Sequence, residues 1–130
     1  MDEHRDDTRW APVRDWHTAV NGRDLTAARA VVDPSVRIGG PKGSARGVEV
    51  LLDWIRGSGI RLVPVAWHDV DDERVVVEQD ATWPDRADSG PDEAPRRTAT
   101  LFEVRHGLVT AVLRYDEGVD TALEAARRTR

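Results

Sequence analysis

The chain has 130 residues, 39% of them hydrophobic and 33% charged, with a net charge of −5 and no cysteine. That length suits one folded domain with a real core, and the missing thiols exclude disulfides, thiolate metal sites and cysteine nucleophiles. No apolar run approaches the roughly 20 residues that cross a bilayer, and the interspersed charges form no basic patch of the kind a phosphate backbone needs. Membrane and nucleic acid are therefore not expected partners.

Residues 1–9 are expected to be a frayed or disordered charged tail, without the apolar centre of a signal peptide, in a cytoplasmic protein. Residues 10–128 would form a single domain. Pro12 suits a first helical turn, and Val13, Trp16 and Val20 recur at helical spacing up to the stop signal Asn21-Gly22. Asp24 caps a second helix to Val31, which Asp33-Pro34 ends. Ser35 to Ile38 predicts a short strand and Gly39 to Ser44 a loop. Lys42 in that loop hints at a phosphate cradle, but the glycine and Lys-Ser/Thr spacing is wrong, and a tight turn is the better reading. After Gly47 a third helix carries Val48, Leu51, Leu52 and Ile55, with Trp54 at its edge and Gly57-Ser58-Gly59 closing it.

At Ile60 the period changes to two, predicting a strand with Pro64 near an edge or bulge. A second strand runs from Val75 to Trp83, and residues 84–95 make a solvated loop. Arg96 to Arg105 and Leu108 to Asp116 form a hairpin around His106-Gly107. Val119, Ala122, Leu123 and Ala126 mark a last helix. Helices first and hairpin-linked strands after them predict an α+β fold with a largely antiparallel sheet.

Particular stretches carry a resemblance. They are Trp16 to Leu25 with its helix–Asn-Gly–Asp-Leu corner, Val36 to Pro41, and Gly47 opening a helix that ends in Trp54. Further on come Val75 to Gln79, Phe102 to Val109, and Arg114-Tyr115-Asp116. In this order they resemble the SnoaL-like branch of the nuclear-transport-factor-two-like superfamily. The resemblance implies a cone-shaped, curved, mixed or antiparallel sheet packed on three N-terminal helices, with a short C-terminal helix. It also implies a deep apolar pocket and a homodimer through the outer sheet face. It implies no single activity, because the superfamily hosts isomerases, cyclases, dehydratases, epoxide hydrolases and non-enzymatic binders. The catalytic set of limonene-epoxide-hydrolase-like enzymes is not retained, since its positions fall on Gln79, Ala81, Arg114, Val36 and Ile38. Thr100 stands where ketosteroid-isomerase-like proteins carry an oxyanion-binding Asp, and Asp116 lies near the Asp of SnoaL-type cyclases.

The candidate site follows from these positions. His17 and Asp116 are the candidates for proton transfer, because imidazole titrates near neutrality and a carboxylate can accept a proton. Trp16, Trp54, Gln79, Trp83, Thr98, Thr100 and Arg114 are the candidates for ligand binding, with Trp54 and Trp83 expected at the pocket mouth. Gln79, Ala81 and Trp83 should face inward, with Glu78 and Asp80 outward. Simple pairing through the two-residue turn points Arg114 outward, whereas a β-bulge in the last strand would turn it into the pocket. The scattered histidines do not have metal-ligand spacing, so neither a metal nor a cofactor is expected. The first functional expectation is a pocket that binds a small, largely apolar molecule, neutral or anionic. The alternatives are a cofactor-free cyclase, isomerase or dehydratase of the same fold, and a homodimeric interaction domain with a vestigial pocket.

Overall fold

A computed structural model describes residues 9–40, 43–83 and 95–128. Pro12 lies in the first turn of α1 (Ala11–Gly22), where its missing N–H is one the helix does not use. The helical period puts Val13, Trp16, His17 and Val20 on its buried side, and Arg23 ends it in a left-handed cap. Asp24 accepts a hydrogen bond from the Ala27 N–H at 3.0 Å and so caps α2 (Leu25–Val31). The helix α3 (Val48–Ser58) buries Val48, Leu51, Leu52 and Ile55.

The strands are β1 (Val32–Gly40), β2 (Gly43–Arg46), β3 (Arg61–Asp69), β4 (Arg74–Thr82), β5 (Arg96–Arg105) and β6 (Leu108–Tyr115), followed by α4 (Val119–Arg128). They form one mixed sheet among the described residues, in the order β2-β1-β6-β5-β4-β3, with β1 parallel to β6 and the other pairs antiparallel. The sheet is open, as the cone-shaped α+β expectation requires, and α1, α2 and α3 pack on its inner face around Trp16, Val36, Leu51, Val77 and Phe102.

Two elements differ from the sequence reading. The segment expected as a loop contributes Gly39 and Gly40 to β1, and Gly43 and Ser44 to β2, the two strands pairing as a hairpin. Every described residue of β2 is exposed, so no apolar alternation marks it as a strand. The turn assigned to Pro41-Lys42 and most of the loop assigned to 84–95 lie outside the described residues. Asp33-Pro34 ends α2 as expected, but the strand already begins at Val32, with irregular pairing to β6 up to Arg37.

Asn21 does more than end a helix. Its amide donates to the Leu62 carbonyl at 2.8 Å and its carbonyl accepts from the Leu62 N–H at 2.7 Å, clamping α1 to edge strand β3. The pairing of β3 with β4 shifts between Pro64 and Ala66, a bulge beside the proline. The helix α4 lies on the opposite, outer face, its Ala122 and Ala126 packed against Val76, Ala99 and Leu101. No described helix is long and apolar enough to cross a membrane.

Candidate functional site

Alternation along β4 and β5 puts Val75, Val77, Gln79 and Ala81 on one face, with Thr98, Thr100 and Phe102 beside them. Glu78 and Asp80 take the other face, where Arg97 lies 3.9 Å from Glu78 and 2.7 Å from Asp80. The orientation of Arg114 depends on the last hairpin. His106 and Gly107 both adopt positive φ, closing a two-residue turn. Val104 then pairs with Val109, but Glu103 pairs with Ala111, which leaves Thr110 as an extra residue. The Thr110 hydroxyl lies 2.8 Å from the Glu103 carboxylate and 3.2 Å from its carbonyl, so the bulge is pinned by its own side chain. Beyond it the parity is reversed: Thr100 pairs with Arg114 and Phe102 with Val112, and Arg114 faces inward.

A cavity of about 210 Å³ opens between the helices and this part of the sheet. Trp16, Leu51 and Trp54 form its helical wall, and Thr100, Val112 and Arg114 its floor on the sheet. Gly40, in the β1–β2 hairpin at the rim, has open space where a side chain would stand. The Trp16 and Trp54 rings lie 14° from parallel with centroids 6.4 Å apart, and Trp16 meets Phe102 edge-on at 5.0 Å. The cavity is smaller than the ~300 Å³ at the lower end of ligand pockets. It is larger than the roughly 150 Å³ void that holds a benzene ring.

Two polar groups stand on the inner face. In the first, His17 Nδ1 is 2.9 Å from the Val13 carbonyl oxygen and its Nε2 is 2.7 Å from Gln79 Nε2. Gln79 Oε1 in turn accepts from the Thr100 hydroxyl at 2.7 Å and lies 3.4 Å from that of Thr98. All four side chains are buried. Burial pushes the His17 pKa from 6.5 down to about 4, only partly offset by the bond to Val13, so the imidazole is neutral at pH 7. Its one lone pair is then directed at the Gln79 amide.

The second group is Arg114 with Asp116. Arg114 Nε lies 3.0 Å from Asp116 Oδ1, close enough for an ion pair. The approach is too bent for a hydrogen bond, so both atoms are buried without a hydrogen-bond partner among the described residues. Trp16 Nε1 is a third such atom. The cavity is thus lined by an arginine and a tryptophan with unmatched donors.

Of the residues nominated from the sequence, Trp16, Trp54, Thr100 and Arg114 line the cavity. Gln79, Thr98 and His17 sit behind its wall, Trp83 packs against the core, and Asp116 reaches the site through Arg114. Sequence reasoning did not connect His17 to Gln79, and it missed the glycine-lined rim, where only Gly39 and Gly40 next to an apolar strand offered a hint. Among the described residues no cluster of His, Asp and Glu is placed to hold a metal ion.

A family model described as the SnoaL-like domain matches residues 13–112. The chain belongs to this SnoaL-like family. No curated protein matches it. Solved structures do. A nuclear-transport-factor-two-like protein of unknown function from Cytophaga hutchinsonii is 17% identical with a TM-score of 0.71, over 83% of this chain and 88% of that one. A Sinorhizobium meliloti protein with the provisional name polyketide cyclase is 16% identical with a TM-score of 0.67, over 80% and 93%. A Kribbella flavida protein with the provisional name ketosteroid isomerase is 20% identical with a TM-score of 0.67, over 83% and 76%. At these identities the likeness concerns the fold of this SnoaL-like chain.

Proposed function

We propose that this SnoaL-like protein binds a small, largely apolar organic anion, with Arg114 holding the charge and Trp16 and Trp54 flanking the apolar part. One observation carries the reading: a bulge turns a guanidinium into an apolar cavity where its nearest carboxylate, Asp116, makes no straight hydrogen bond. A buried donor without a partner is costly, and a carboxylate can take two parallel N–H bonds from a guanidinium. A cavity slightly larger than the one that holds benzene suits a single ring bearing that carboxylate.

Benzoate is the direct probe. Calorimetric titration should show binding to the wild type and at least tenfold weaker binding to Arg114→Leu, because hydrogen bonds to charged groups contribute about 1.5–3 kcal/mol. Native mass spectrometry of the protein as purified should show a small acidic adduct. Benzoate binding unaffected by Arg114→Leu, or no binding of any ring acid, removes the reading.

The second reading is an enzyme that moves a proton through Asp116, favoured by its buried Oδ1, which has no hydrogen-bond partner among the described residues. His17 suits that task less well, since its lone pair already has a donor. The expected homodimer belongs to this proposal for the part of the outer face not covered by α4. Sedimentation at the monomer mass would remove it.

A further inference from the structure

The buried chain behind the cavity has only one consistent direction, and that direction specifies what the ligand must bring. A backbone carbonyl can only accept, so at 2.9 Å from Val13 O the proton of His17 sits on Nδ1. Burial keeps the ring neutral, which leaves Nε2 bare and in need of a donor. The Gln79 group 2.7 Å away must therefore be its NH₂, and its Oε1 then faces the threonines. An amide oxygen only accepts, so the Thr100 hydroxyl spends its single proton on Gln79. What remains on Thr100 Oγ is lone pairs, and among the described residues no donor reaches them. Thr100 lines the cavity and pairs across strands with Arg114, which offers only donors.

We infer that the pocket selects a ring acid that also carries a hydrogen-bond donor, a hydroxyl or amine set apart from its carboxylate, with Arg114 taking the carboxylate and Thr100 Oγ accepting from the donor. This rests on the anion-binding reading above and goes further by naming the second functional group. The backbone carbonyl of Val13 sets the polarity, four groups away from the ligand.

The test uses benzoate, 3-hydroxybenzoate and 3-methoxybenzoate with the intact protein. Cross-strand neighbours have Cβ atoms about 4.5–5.5 Å apart, which suits a meta substituent better than an ortho hydroxyl bonded to its own carboxylate. 3-Hydroxybenzoate should bind about five- to tenfold more tightly than benzoate, and 3-methoxybenzoate no more tightly than benzoate. Thr100→Val should erase the preference, so that within that variant 3-hydroxybenzoate binds no more tightly than benzoate. Proton-coupled nitrogen spectra of labelled histidine in the ligand-free wild type should show His17 protonated at Nδ1 and bare at Nε2 at pH 7. An Nε2-protonated ring overturns the inference, as does a preference for the methoxy acid or a hydroxyl preference that survives in Thr100→Val. If benzoate binds but 3-hydroxybenzoate gains nothing, the inference fails and the anion site stands. If none of the acids binds, both fail.

Discussion

The inner face of the sheet carries two polar groups that differ in one respect. The His17–Gln79–Thr100 chain is buried, and every member has a hydrogen-bond partner within it, with only the Thr100 lone pairs left over at the cavity. The Arg114–Asp116 pair, one strand away, is close in distance but bent in angle, and its arginine lines the cavity with Nε lacking a hydrogen-bond partner. A satisfied buried network stabilises and orients, whereas an unsatisfied one loses stability unless something else completes it. The chain is therefore expected to act in folding and in setting the polarity of Thr100, and the pair in binding.

The largest effect that tests this contrast is Gln79→Leu. It leaves His17 Nε2 and two threonine hydroxyls without their partner, and urea unfolding should show a loss of about 4 kcal/mol at roughly 1–3 kcal/mol per unsatisfied group. A loss below about 1 kcal/mol would break the contrast. Next comes pH. Folded His17 stays neutral down to about 4, while the unfolded imidazole takes up a proton below 6.5. Between these values the unfolded state binds more protons, so stability rises with pH and is lost as pH falls from 6.5 to 4. At about 1.4 kcal/mol per tenfold change in proton affinity the full loss is about 3 kcal/mol, and His17→Gln should flatten it. Arg74 holds the Asp71 carboxyl below its usual 3.8 chiefly through their hydrogen bond, so that contribution disappears only at more acid pH.

Arg114→Leu should behave differently from Gln79→Leu. The Arg114–Asp116 pair is only partly buried, its side chains 21% and 25% exposed, so removing the cation should cost less stability than Gln79→Leu, while benzoate binding falls at least tenfold. The smallest expected change in stability is that of Gly40→Val, within about 0.5 kcal/mol. Gly40 lines the cavity from β1 and a Cβ built on it has no atom within 4 Å, so the new side chain is expected to extend toward the cavity. Loss of benzoate binding with unchanged unfolding would sharpen the division between binding and folding. Unchanged binding would move the ligand away from the rim.

How much of this was legible depended on the range of the interactions. The helices were readable because caps and stripes are local: Asp24, Asn21-Gly22 and the Val48–Ile55 stripe are found where their chemistry puts them. The inward parity of Gln79, Thr98 and Thr100 follows from period two alone. The strand β2 was missed because its described residues are glycine, serine, alanine and arginine, all exposed, so its only signal is pairing with β1. The direction of Arg114 was open because it depends on one extra residue, Thr110, whose hydroxyl bonds to Glu103 only once the hairpin has formed. The link from His17 to Gln79 spans 62 positions, a distance over which pattern can name a face but not a partner.

The clamp of Asn21 on Leu62 also decides what can happen at the far margin of the sheet. In an edge strand the backbone groups of alternate residues point away from the neighbouring strand and invite another chain to pair. At Leu62 both of those groups are taken by the asparagine, and at Pro64, next in the alternation, no N–H exists, with an irregularity immediately after it. Val63 and Val65, exposed there at 45% and 47%, would otherwise mark a sticky border for cross-β growth. Two polar atoms on a helix and one imino acid leave no continuous ladder there for an eager seventh strand.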